Sequence, residues 1–316
     1  MNVKNIALAT YIMLSLISNA NAAEDSKDNV SPLKTKIGNL TFNPVIMDTG
    51  SDESQSLVLG LEYEFKGKIL EYPSNKTNTK TNVEDNREIE PVNIENPSMN
   101  YTLGYLAKGT LASSAKRNPK NLLEFELNGS KIFAANDRHV TSGKLALQYE
   151  TDQEFKNKNL VYGLGGGLIY TGILSPKAPM ATNETFDGKK YKPQDNLILT
   201  FLIGSVDPQN DTERETILGT KNLDSYARLS FDLHYGYSFY SDNPYLRQIL
   251  IDHKFRQEIN ADQKIKNAKL DQFNFTNIKF SLLNNFYLAY GYGNFPFNEK
   301  KDSVYTLGFT TNFLDK

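Results

Sequence analysis

The 316-residue sequence contains no cysteine and no tryptophan. Without cysteine the chain can form neither a disulfide framework nor a thiolate metal site. Its three histidines lie too far apart in the sequence for the ligand spacing of a metal site. A net charge of -2 gives no reason to expect a nucleic-acid partner. We therefore expect no metal, no cofactor and no nucleic acid.

Long apolar runs are also scarce. The apolar segment Ile6–Ile17 follows Lys4 and precedes Ala20-Asn21-Ala22, which is the pattern of a cleaved secretory signal. This segment is shorter than the ~18–20 residues that a membrane-spanning helix needs. No run of that length follows Ala23, and helical spacing is not sustained over several turns. If the mature chain lies in a membrane, it must cross as strands.

Alternation with a period of two residues, by contrast, recurs along the chain. The clearest strand places one set of side chains on an apolar face, namely Phe231, Leu233, Tyr235, Tyr237 and Phe239. The opposite face is polar or small, with Arg228, Ser230, Asp232, His234, Gly236 and Ser238. Such a strand needs hydrocarbon on one side and water on the other. Because tryptophan is absent, an aromatic girdle at a membrane surface has to consist of tyrosine and phenylalanine.

The last strand candidate alternates in the same way. Its apolar face consists of Tyr305, Leu307, Phe309 and Phe313. This stretch resembles the closing strand of Gram-negative outer-membrane β-barrel proteins, which alternates up to a C-terminal aromatic residue; here Leu314–Lys316 follow. The resemblance implies an all-β fold, a closed antiparallel transmembrane barrel in the cell outer membrane. It also implies contact with outer-membrane lipid and lipopolysaccharide, and insertion by the barrel-assembly machinery.

The strand signals predict a barrel of about twelve strands, within a range of ten to fourteen, over residues 55–316. A signal peptide (1–22) and a polar arm (23–54) precede it, and the arm could instead supply a plug or an extra strand at Ile37–Phe42. In one arrangement Glu213–Gly219 is a strand, and the long connections Tyr72–Pro97 and Ser175–Asp195 are external. In the other, Ile37–Phe42 is the first strand and these connections face the periplasm. Because bacterial barrels have longer external loops, we expect the first arrangement.

The polar faces of the predicted strands carry many ionisable side chains. Those expected to line the lumen are Glu62, Glu64, Glu124, Glu126, Arg228, Asp232, His234, Lys254 and Arg256. A Lys or Arg on the lipid face costs about 2–4 kcal/mol at the bilayer midplane, which places these groups inside. Charges of both signs allow two interpretations. One is a hydrated passage for small polar solutes; the other is an ionic network that holds a closed barrel together.

Two motifs allow a hydrolase as the alternative. Asp232-Leu233-His234 places a carboxylate and an imidazole on one face, as in the omptin proteases, whose second acidic pair is missing here. The run Asp137–Gly143 resembles a motif of outer-membrane lipid A 3-O-deacylases, with Asn128 upstream, although Gly129 replaces the family's Asp. Asn, Asp and Gly are also common hairpin residues, so a turn is the preferred interpretation.

The glycine-rich stretch Gly163–Gly167 is continued by a strand pattern rather than a helix. A phosphate-binding loop needs a helix N-terminus after its glycines, so close backbone packing or a bend explains this stretch better. We predict no catalytic residue. The expected function is a channel or porin-like barrel that passes or binds small polar solutes. The alternatives are a hydrolase acting on lipid A or phospholipid, and a structural or adhesive surface protein acting through its loops.

Overall fold

The protein is described by a computed structural model over residues 36–49, 57–72, 101–113, 118, 120–135, 138–174, 194–239, 245–282, 285–294 and 302–312. The expected signal peptide (1–22), the central parts of both long connections and Phe313 lie outside these ranges.

The described residues form one closed antiparallel sheet in which consecutive strands are neighbours. The strands are β1 (Lys36–Thr49), β2 (Val58–Tyr72), β3 (Tyr101–Ala112), β4 (Leu123–Ala135), β5 (His139–Thr151), β6 (Lys158–Thr171), β7 (Gln194–Asn210), β8 (Tyr226–Ser238), β9 (Leu246–Glu258), β10 (Gln272–Leu282), β11 (Phe286–Gly293), β12 (Asp302–Phe309) and β13 (Thr311–Asn312). Strands β12 and β13 are two parts of one final strand, interrupted where the Thr310 amide donates to the Asn285 carbonyl at 2.9 Å. The barrel therefore has twelve strands, as expected.

The final strand closes the barrel on β1. Val45 pairs with Gly308 and Thr49 with Val304 in the β12 part, while Thr41 pairs with Asn312 in β13. The stretch that resembled an outer-membrane closing strand therefore occupies the closing position.

Two short helices interrupt the strand order: α1 (Thr212–Leu218) between β7 and β8, and α2 (Gln263–Asn267) between β9 and β10. Among the described residues, no helix is long and apolar enough to cross a membrane.

The prediction that Glu213–Gly219 is a strand is wrong, because this segment forms helix α1. The Asp211 side chain accepts a hydrogen bond from the Arg214 amide at 3.0 Å, and Gly219 ends the helix with a φ of 73°. A capping aspartate and a left-handed glycine are the usual signals of a helix start and end. Ile37–Phe42 instead belongs to β1, so the barrel begins at Lys36 and not at residue 55.

The structure therefore also contradicts the first of the two arrangements, because Glu213–Gly219 is a helix and the first strand contains Ile37–Phe42. We call the end of the barrel that carries α1 and α2 the helix end, and the opposite end, where Lys36 and Asn312 lie, the termini end. Connections 73–100 and 172–193 both leave from the termini end. The expected barrel counted Glu213–Gly219 as its seventh strand, whereas the structure instead has β1 at the start of the chain. The six strands from β2 to β7 therefore run opposite to the expected direction relative to β8–β12. As a result, both long connections lie at the other end of the barrel.

The outer face of the barrel is apolar, as the alternation predicted. Leu59, Leu145, Leu164, Phe201 and Ile203 are each more than half exposed. In the closing strand Tyr305, Leu307 and Phe309 are exposed, while Val304, Thr306 and Gly308 point inward and are buried. So many exposed large apolar side chains suit contact with hydrocarbon. The barrel is of the transmembrane type.

Two apolar clusters lie towards the helix end, one inside the barrel and one at the two helices. The first consists of Val45, Met47, Val58, Ala112, Leu122, Phe275, Tyr287, Ala289 and Val304. The second consists of Ala261, Ile265 and Leu270, with Ile217, Leu218, Ala268 and Phe273 packed against it. Apolar packing towards the helix end therefore comes from β10–β12, β1–β3, the connection between β3 and β4, and the two helices.

The glycine-rich stretch lies in β6 and allows close packing against β7, as the strand interpretation expected. A Cβ on Gly163 would lie 2.4 Å from Cγ of Leu202, and one on Gly165 would lie 1.9 Å from the Phe201 carbonyl oxygen. Leu202 is thereby buried on the inner face, with an exposed fraction of 5%.

Candidate functional site

The inner face of the barrel brings the predicted lumen residues together. Strand pairing places their side chains on the same face of neighbouring strands: Glu62 and Glu64 on β2, Glu124 and Glu126 on β4, Arg228, Asp232 and His234 on β8, and Lys254 and Arg256 on β9. Lys108 on β3 and Glu150 on β5 lie in the same rows. Every one of these groups has an ionic or hydrogen-bonding partner on the inner face or in a connection that folds onto it.

Glu124 is the central acceptor of this network. Its carboxylate lies 2.8 Å from Lys254 Nζ, 3.3 Å from Lys108 Nζ and 3.7 Å from Arg256 Nη2. Arg256 in turn binds Asp232 at 2.5 Å. Because β4 and β9 are on opposite sides of the barrel, the contact between Glu124 and Lys254 crosses the lumen.

Glu126 lies one step further towards the termini end and is satisfied locally. Lys144 Nζ approaches it at 2.6 Å, and the amides of Gln148 and Asn128 donate to it at 2.6 and 2.7 Å. Its side chain is only 6% exposed. A carboxylate with three donors is fully paired, as a buried charge requires.

Arg228 and Glu150 form the most deeply buried ion pair. The guanidinium donates through two nitrogens to the two carboxylate oxygens at 2.8 and 2.6 Å, and the side chains are 3% and 1% exposed. This two-point geometry is the strongest form of an Arg–carboxylate contact. It joins β5 to β8 near the helix end.

Glu62 is bound by residues that the sequence did not single out. Lys120, in the connection between β3 and β4, reaches into the lumen and binds it at 2.6 Å. The Tyr287 hydroxyl donates to its other oxygen at 2.8 Å, and Lys279 Nζ lies 3.6 Å from the centre of the Tyr287 ring. Lys120 was missed because it follows no strand period, and Tyr287 because a tyrosine fits either face of a strand.

His234 and Asp252 form a half-exposed pair, with Nδ1 and Oδ1 2.5 Å apart and side chains 39% and 40% exposed. The Asp232–His234 pair suggested by the sequence does not form, because Asp232 binds Arg256. In the Asp137–Gly143 run, Asp137 lies outside the described residues, and strand alternation places His139 and Ser142 on opposite faces of β5. The described residues of these two motifs therefore do not bring a nucleophile and its base onto one face.

The described part of the lumen holds at least two cavities. The larger, of about 380 Å³, is lined by charged side chains from β2, β3, β4, β8 and β9 together with Lys120, Asn43 and Asn277. The smaller, of about 150 Å³, lies between Glu126, Lys144 and Arg256. Leu122 and Phe275 of the apolar cluster line the larger cavity on its helix-end side. Among the described residues, no three His, Asp or Glu side chains are grouped so as to hold a metal ion.

Comparison with known proteins gives structural neighbours alone. No family model matches the sequence, and no curated protein matches it. The NanC porin superposes with a TM-score of 0.41 at 7% identity, over 86% of this chain and 100% of its own. An outer membrane channel from Pseudomonas putida F1 gives 0.36 at 11% identity, over 90% and 100%. The translocator domain of the autotransporter NalP from Neisseria meningitidis gives 0.33 at 8% identity, over 98% and 97%. By their descriptions these three proteins are a porin, an outer membrane channel and an autotransporter translocator domain.

Proposed function

We propose that this protein is an outer-membrane channel that takes small polar solutes into a charged lumen and that the described conformation is its closed state. The observation that carries the proposal is the cavity of about 380 Å³ inside the barrel, which is lined by eight Asp, Glu and Lys side chains. Fixed charge around a narrow aqueous space selects which solutes enter.

The exposure of the wall charges supports a hydrated space. Lys108 and Lys254 are each 26% exposed, and Glu64 is 42% exposed. A lumen that served only to hold the barrel together would gain little from such groups, because well-packed apolar side chains often replace buried ion pairs without loss of stability. Solvated charges inside a barrel suit the binding of polar solutes.

Closure rests on two features. The Glu124–Lys254 contact spans the lumen from β4 to β9, and the apolar cluster lies inside the barrel towards the helix end. Passage through the barrel therefore requires that Glu124 release its partners and that the cluster move. We place the barrel among outer-membrane lipid and lipopolysaccharide, inserted by the barrel-assembly machinery. Partition with outer membranes and heat-modifiable gel migration would check this location.

The test is conductance in a planar bilayer, compared for the wild type, a Glu124→Gln/Glu126→Gln variant and a Glu154→Gln control. Glu154 carries the same group in the exposed turn between β5 and β6. The double variant should open more often and shift its selectivity towards anions, because two fixed negative charges are lost. The control should match the wild type. Absence of current in all three proteins would contradict the channel and leave an ionic network that only holds the barrel together.

A further inference from the structure

We infer that the larger lumen cavity binds small zwitterions, solutes that carry one cationic and one anionic group and no net charge. This inference rests on the proposed function, since it names the class of solute that the same lumen takes. It follows from how the charges of opposite sign are arranged on the cavity wall.

The wall alternates in sign from strand to strand. Lys108 on β3 stands directly opposite Glu64 on β2 and Glu124 on β4. Lys254 on β9 stands directly opposite Asp232 on β8. Neighbouring strands are ~4.8 Å apart, so the sign of the wall changes over that distance from strand to strand. The side-chain charges themselves approach more closely, with Lys108 Nζ 3.3 Å from the Glu124 carboxylate. A short solute with an ammonium and a carboxylate a few bonds apart matches this spacing.

The charges around the cavity also balance. Five carboxylates line it: Glu62, Glu64, Glu124, Asp232 and Asp252. Three lysines line it as well, namely Lys108, Lys120 and Lys254. Two further cations, Lys66 and Arg256, pair with Glu64 and Asp232 from just outside the lining. Apart from the imidazoles of His234 and His253, these groups number five of each sign. Lys279 lies over the Tyr287 ring outside the lining.

A balanced wall discriminates by the net charge of the solute. A cation or an anion that enters leaves one uncompensated charge in a narrow space whose wall charges are already paired with each other, which is unfavourable. A zwitterion brings both signs and can contact one wall charge of each kind while the total stays balanced. The exposed carboxylates of Glu64 and Asp252, 42% and 40% accessible, are placed for its ammonium; Lys108 and Lys254 are placed for its carboxylate.

The probes are three solutes of matched size: 4-aminobutyrate, butylamine and butyrate. Binding to the full-length protein in detergent micelles is measured by isothermal titration calorimetry, which needs neither a bilayer nor an open pore. We expect 4-aminobutyrate to bind at least about tenfold more tightly than either singly charged solute, a difference of about 1.4 kcal/mol. Equal binding of butylamine or butyrate, or no binding of 4-aminobutyrate, overturns the inference.

Two variants test the assignment of the wall. Asp252→Asn should weaken binding of 4-aminobutyrate and leave butyrate unchanged or stronger, because the variant removes a carboxylate that faces the ammonium. Lys108→Met should weaken binding of 4-aminobutyrate and favour butylamine. Asp224→Asn, the same chemical change on the exposed connection between α1 and β8, should have no effect. If both wall variants bind all three solutes as the wild type does, the assigned wall is wrong.

The two proposals fail separately. Zwitterion binding without conductance in any variant would contradict the channel and support the binding site. Conductance without preference for 4-aminobutyrate would support the channel and contradict the zwitterion site.

Discussion

Glu124 on β4 and Lys254 on β9 meet across the lumen at 2.8 Å, although 130 residues separate them in the sequence. The contact links the two sides of the barrel, and Lys108 and Arg256 approach the same carboxylate. Glu124 is 10% exposed on its side chain, so its charge depends on these partners rather than on water.

Removal of the Glu124 charge should destabilise the barrel. Glu124→Gln leaves three cations short of a buried anion, and the loss of one partner from such a pair costs about 3 kcal/mol or more. The measurement is urea unfolding of the protein in liposomes. A Glu124→Gln/Lys254→Met variant should lose less than the sum of its single variants, because each removes the other's partner. Additive losses would show that the two side chains do not interact.

The cost of a charged side chain on the outer face should depend on its depth in the membrane. Leu164→Arg, in the middle of β6 and 64% exposed, should lower the free energy of unfolding by about 2–4 kcal/mol. Leu57→Arg, just before β2 and 72% exposed, should cost no more than about 1 kcal/mol because it lies at the end of the strand. Folding yield in liposomes and urea unfolding both report the difference. Similar tolerance at the two positions would contradict the assigned outer face.

The contact between Gly163 and Leu202 should make even a methyl group costly. Gly163→Ala places a Cβ 2.4 Å from Leu202 Cγ, and such overpacking typically costs about 1–3 kcal/mol. Gly129→Ala is the matched control on β4, since nothing lies within 4 Å of its Cβ. The added cost of Gly163→Ala should shrink in a Leu202→Ala background. An unchanged cost there would show that the clash involves another group.

The cap of α1 should depend on pH. Burial raises the pKa of the Asp211 carboxyl above its ordinary value, against the smaller opposing effect of its bond from the Arg214 amide. A raised folded-state pKa means that this carboxyl favours the folded helix most at low pH, and that this stabilisation is lost as the pH rises through that pKa. Asp211→Asn keeps the acceptor and should remove this dependence.

Asp211→Ala serves as the comparison, since it should cost about 1 kcal/mol of local stability through loss of the cap. Hydrogen exchange at the Arg214 amide, corrected for the intrinsic rate at each pH, measures all three proteins. A wild-type helix whose protection rises with pH across the acidic range would contradict the assignment.

The sequence alone determined which way each strand side chain points. In a strand successive Cβ atoms lie on opposite faces. Asp232 and Leu233, or Thr306 and Leu307, can therefore be assigned to opposite faces of the sheet without knowing which strands lie beside them. The inward placement of the charged side chains and the apolar outer belt follow from that local rule. The glycines of β6 were interpretable for the same reason, because a strand pattern continues through them.

Which strands exist and which side chains meet was decided by the tertiary structure. β1 carries a weak pattern and gains its place by pairing with β2 on one side and with the final strand on the other. Helix α1 has capping residues at Asp211 and Gly219, but it is too short to show the periodic apolar pattern by which a helix is recognised in a sequence. The partners of Glu124 and Glu62 come from distant strands and from Lys120 in a connection. Side-chain direction is a property of the local backbone, whereas contacts across a lumen exist only after closure of the barrel brings opposite strands within reach of each other.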